Sequence, residues 1–150
     1  MPRNIEYRHI WQTYLETNSM IQAKENHTHS FAGKDKWSKK RKANDYAFFV
    51  LIFSYLEGYI NDQCQILIDK KRGNPNWKRK RLWDTLDKDI TRLSFDRRLS
   101  LVTDRSKNIH RDIMEYYNKR CDLAHGTLSE TVDVSVFIKH VQRYLKDLKV

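Results

Sequence analysis

Arg120 and His125 lie close together in the run Glu115-Tyr116-Tyr117-Asn118-Lys119-Arg120-Cys121-Asp122-Leu123-Ala124-His125-Gly126-Thr127. A guanidinium is permanently charged and offers a planar fork suited to phosphate oxygens. An imidazole holds or passes a proton near neutral pH. Ile109, Ile113, Tyr116, Tyr117 and Ala124 recur at the three-and-four spacing of a helix face, and Arg120 falls on that row where an apolar residue is expected. Gly126 suits the left-handed position that closes a helix, which puts His125 at the C-terminal end. Unpaired carbonyls there favour positive charge.

A second charge breaks an apolar row. Glu57 shares a helical line with Val50, Phe53, Ile60 and Cys64. Buried acids are rare unless paired, and Arg120 is the expected partner, since it too sits on an apolar row of another helix.

Lys39, Lys40, Arg41 and Lys42 surround Trp37 with further lysines, and Lys70, Lys71, Arg72, Lys78, Arg79, Lys80 and Arg81 flank Trp77. Basic runs carrying an aromatic ring can follow a phosphate backbone and stack a base, or they can be solvated helix flanks. The net charge of +10 favours a polyanionic partner. No metal or cofactor is expected. His27 and His29 lack further ligands at suitable spacing, and Cys64 and Cys121 are isolated, giving neither a metal site nor a disulfide framework.

The positioning elements read as helices. With 150 residues, 39% hydrophobic content, four glycines and two prolines, the chain fits one all-α domain. Residues 4 to about 23 form a first amphipathic helix through Tyr7, Ile10, Trp11, Tyr14, Leu15 and Ile21. Periodicity vanishes over 24–44, which predicts a long loop or a pair of helix ends. Residues 45 to about 70 predict a central helix buried on most sides. Gly73-Asn74-Pro75-Asn76 signals a turn. One or two short helices follow over 82–103, with Ser94 as an N-cap. After Gly126 the β-branched run allows a strand, but Val134, Phe137, Val141, Tyr144 and Leu148 fit a helix better. No apolar run spans a bilayer and no signal-peptide pattern opens the chain, so a cytoplasmic protein is expected.

An Arg and a His with four residues between them, on a helix ending in Gly, resemble the signature of the HEPN superfamily, small helical proteins of which many are metal-independent ribonucleases. Tyr55-Leu56-Glu57-Gly58-Tyr59-Ile60-Asn61-Asp62 also looks like the early helix of the RiboL-PSP-type branch. The resemblance implies a bundle of four to five main helices with short extra ones, the motif late and one helix closing the chain. It implies a homodimer whose two Arg-His sets line one cleft, a toxin or defence role, and an antitoxin or other regulatory protein as a further partner. The implied reaction is metal-free RNA cleavage, with His125 as general acid or base, Arg120 stabilising transition-state charge, and Asp122 or Glu57 orienting them. The sequence departs from the family at Cys121, where a polar Asn, Asp or His often follows the Arg. Asp122 lies about 100° further round the helix.

Two other readings share the same residues. One is a helical module that binds RNA or protein without cutting. The other is a structural bundle in which Arg120 and Glu57 only satisfy each other's charge.

Overall fold

Four side-chain oxygens turn back onto free backbone amides and start helices. Ser30 Oγ accepts from Gly33 N at 3.1 Å, Asn76 Oδ1 from Lys78 N at 3.0 Å, Ser94 Oγ from Arg97 N at 3.4 Å and Asp133 Oδ1 from Val136 N at 3.0 Å. Each satisfies a first-turn donor that the helix itself leaves unpaired. The computed structural model describes residues 2–127 and 130–150, with side chains from residue 7 onward. It is all-α: 82% helical, with six helices and no strand among the described residues. These are α1 (Pro2–Asn26), α2 (Phe31–Arg72), α3 (Trp77–Asp89), α4 (Phe95–Val102), α5 (Asn108–Ala124) and α6 (Val134–Asp147), with a 3₁₀ turn at Ile90–Arg92.

Of the two alternatives over 24–44, a long loop or a pair of helix ends, the structure has the helix ends: α1 stops at Asn26 and no long loop follows. Only 27–30 interrupt the helices, and α2 begins at Phe31. The charged segment has no apolar stripe because it is a solvated helix, rich in Lys and Ala, which propagate helix well without tertiary help. Asp35 and Lys39 add an ion pair at 2.7 Å, one helical turn apart with the acid leading. The turn between α1 and α2 needs Gly33. A Cβ there would stand 2.4 Å from Thr28 Cγ2 and 2.7 Å from Ser30 Oγ.

The chain divides into two compact units, Met1–Tyr55 with Lys119–His140, and Leu56–Asn118 with Val141–Val150. The division falls inside α2, α5 and α6. In the first unit, Phe137 lies 4.8 Å from Phe49 between ring centroids and stacks on Phe53 at 6.5 Å, all three fully buried. Burying such a ring contributes roughly 1.5–3 kcal/mol. Tyr7 packs against Tyr55 and donates its hydroxyl to Ile138 O at 2.9 Å. In the second unit, Ile60, Cys64, Ile68, Leu99, Ile113, Val141 and Tyr144 are buried, and Phe95 stacks on Tyr117 at 4.6 Å. Tyr59 donates to Leu145 O at 2.8 Å, and Gln63 Oε1 accepts from Val150 N at 3.1 Å.

Candidate functional site

The end of α5 closes as its composition requires. Gly126 has φ +69, and no other described residue has a positive φ. Thr127 N donates to Asp122 O at 2.9 Å and Gly126 N to Leu123 O at 3.1 Å. This pair of bonds is the Schellman closure, with Gly126 in the left-handed position and His125 as the capping residue just before it. Thr127 Oγ1 adds a second bond to Asp122 O at 3.1 Å. His125 is exposed and Arg120 is half-buried. Arg120 has no ion pair among the described residues. On an α-helix five residues span about 7.5 Å of axis and about 140° of rotation, so the two side chains leave the helix in different directions.

Asp122 is exposed, and its backbone carbonyl, rather than its carboxylate, holds the helix end together. Glu57 corrects the expected pairing. Its Oε1 accepts from Arg98 Nη2 at 2.9 Å, not from Arg120. Arg98 Nη1 also donates to Asn61 Oδ1 at 2.5 Å, and Arg98 O accepts from Cys64 Sγ at 3.1 Å. The predicted orienting carboxylate is therefore committed elsewhere in its own unit. The signal that could have found Arg98 is the one used for Arg120: a cation beside the apolar row Phe95, Leu99 and Val102 of a short helix.

A second cluster escaped sequence reading. His110 is 7% exposed, and its Nε2 lies 3.3 Å from both Asp96 Oδ1 and Ser100 Oγ. Ser, His and Asp thus meet, but on one ring nitrogen. A hydrolytic triad uses both, one for the acid and one for the nucleophile. Ser100 Oγ donates to Asp96 O at 2.7 Å and accepts from Arg105 Nε at 2.9 Å, and Arg105 also pairs with Asp96. The cluster ties α4 to the start of α5.

The basic residues divide by what they touch. Lys39 pairs with Asp35, Arg41 with Glu25 at 2.9 Å, Lys40 lies over the Trp37 ring at 4.4 Å and Lys42 over Tyr46 at 5.4 Å. Arg72 is bound to Asp84 at 2.9 Å and Asp87 at 2.7 Å, so it fastens α3 to α2 rather than presenting charge outward. Lys70, Lys71, Lys78, Arg79, Lys80 and Arg81 have no ion pair among the described residues, and all but Lys80 are exposed. Trp77 is 63% exposed with the Arg81 guanidinium 5.3 Å from its ring centroid.

Among the described residues no group of three His, Cys, Asp or Glu could hold a metal ion, and no helix is long and apolar enough to cross a membrane. No family model matches the chain, and neither does any curated protein or solved structure.

Proposed function

We propose that this protein is a metal-independent endoribonuclease of the HEPN type, acting through Arg120 and His125. The observation that carries the reading is the end of α5. There an exposed His125 caps a Schellman-closed helix, and a half-buried Arg120 stands a turn and a half earlier without a carboxylate partner among the described residues. A half-buried guanidinium without a counter-ion suits an anion brought by a ligand. The chain's charge of +10 supports a polyanion such as RNA as the source of that anion.

In the reaction, a ribose 2′-oxygen attacks the adjacent phosphorus while His125 accepts its proton or, from the partner copy, protonates the departing 5′-oxygen. The P–O5′ bond breaks, leaving a 2′,3′-cyclic phosphate and a 5′-hydroxyl. Arg120 neutralises the extra charge on the five-coordinate phosphorus. The roughly 140° between the two side chains on one helix favours a homodimer in which each phosphate meets an Arg and a His from different copies. Asp122, exposed beside them, is the remaining candidate for orienting the pair.

The deciding experiment incubates the purified protein with total RNA in the presence of EDTA and maps the new ends. Cyclic phosphate and 5′-hydroxyl ends support the reading; intact RNA, or 5′-phosphate ends, reject it. A module that binds RNA or a regulatory protein without cutting is the second reading, favoured by Cys121 after Arg120 and by Glu57 being held by Arg98. It predicts RNA retention with no new ends.

A further inference from the structure

We propose that the first turns of α3 form a stacking platform for single-stranded RNA, with Trp77 receiving an unpaired base and Lys78, Arg79 and the α2 end at Lys70 and Lys71 following the backbone. The inference rests on RNA being the substrate, and it adds where the strand is held and in what form.

Two basic clusters carry a tryptophan, and their surroundings differ. In the cluster on α2, Trp37 is only half-exposed, and Lys39 and Arg41 spend their charge on Asp35 and Glu25. At α3, Trp77 is 63% exposed and the neighbouring cations are unpaired among the described residues. Arg81, one turn on, lies against the Trp77 ring. A guanidinium against an indole enriches the ring's stacking with a cation–π contact and adds charge where a phosphate would pass.

The helix carries this charge against its own local preference. A helix N-terminus favours acidic residues, yet α3 has none in its first turn and four consecutive basic residues from Lys78 to Arg81. Its acids come later. Asp84 and Asp87 are taken by Arg72, and Asp87 also accepts from Gln65 at 2.8 Å. The acidic half thus anchors α3 within its unit and leaves the basic half facing solvent. A local rule broken on a well-anchored element marks a binding surface. Repulsion among these cations is relieved by a polyanion.

Single strands fit better than duplexes because a base must offer its face to stack, and paired bases in an A-form helix do not. The exposed Trp77 ring is of no use to a duplex, while phosphate contacts serve both.

The test uses the full chain carrying His125→Ala, so that RNA stays whole. Affinity is measured by fluorescence anisotropy for an unstructured RNA oligonucleotide, for the same sequence annealed as a duplex, and for vesicles rich in phosphatidylserine. Trp77→Ala should weaken single-strand binding by about tenfold or more, leave duplex binding unchanged, and not alter the salt dependence. Trp77→Phe should recover most of the loss. Lys78→Ala and Arg79→Ala should each flatten the salt slope by about 0.7. Unchanged single-strand affinity in Trp77→Ala, equal losses on single strand and duplex, binding of vesicles alone, or no RNA binding at all would each overturn the platform. Failure of the nuclease reading looks different. Wild-type protein would leave RNA uncut while the Trp77 effect on single strands persisted.

Discussion

Glu57 and Arg98 form an ion pair at 2.9 Å with side chains only 26% and 17% exposed. Neither charge is well solvated, so each depends on the other and on Asn61, which accepts a further bond from Arg98. Arg98→Ala leaves a carboxylate without its partner in a half-dry setting and should cost about 3 kcal/mol. Urea unfolding measures it, and a Glu57→Gln, Arg98→Ala cycle should show coupling of about 1–3 kcal/mol. Additive losses would mean the pair is incidental.

His125→Ala and Arg120→Ala should each lower RNA cleavage by about 100-fold or more. The double variant should be scarcely worse than either alone, because groups acting in one transition state are not additive. Arg120→Lys should not rescue, since an ammonium lacks the planar fork. Circular dichroism should show His125→Ala folded, as the side chain is exposed. Full cleavage by that folded variant removes His125 from the chemistry.

Gly126→Ala tests the helix closure without a packing complication. A Cβ at Gly126 meets nothing within 4 Å, so any cost comes from the positive φ. The expected loss is about 1 kcal/mol, a fall in Tm of roughly 2–4 °C. Gly126→Asn should lose less, because Asn tolerates that conformation better. A Tm unchanged in Gly126→Ala would show that this end of α5 adds nothing to stability.

Alkali should weaken the fold once it begins to ionise thiol and tyrosine groups of the unfolded chain that the folded protein keeps protonated. Burial pushes the Cys64 thiol up to about 11, and burial first, then the Asp45 carboxylate, pushes Tyr14 up to about 12. Tyr144 is likewise raised to about 12, chiefly by burial. All three are neutral when protonated, and the folded state holds those protons more tightly. Their contribution is complete below the unfolded values near 9 and 10 and is lost as pH rises toward 11 and 12. Thermal unfolding from pH 8 to 11 should show a progressive fall in Tm, and Cys64→Val should reduce it. In native protein at pH 8, iodoacetamide should label half-buried Cys121 well before fully buried Cys64. Equal labelling rates would contradict the closed environment of Cys64.

Local chemistry was legible without coordinates. Gly126 needs a left-handed residue's freedom, Ser94 carries a capping hydroxyl, and Gly73 to Asn76 hold turn formers; each acts within a few residues of chain, so composition alone announced the ends of α5, α4 and α2. The placement of His125 at a helix end follows from the same locality. The sequence leaves a loop and a pair of helix ends open over 24–44 because apolar periodicity reports burial, and the solvated start of α2 has none to report. Trp77 and Trp37 looked alike in sequence, and only packing left one ring exposed and the other half-covered. Glu57 had two possible arginines. Its helical row said that a cation was needed but not which one, because ion pairing between helices depends on how elements distant in sequence come together. Tertiary structure chose Arg98 as the partner of Glu57 and left Arg120 with no carboxylate partner among the described residues.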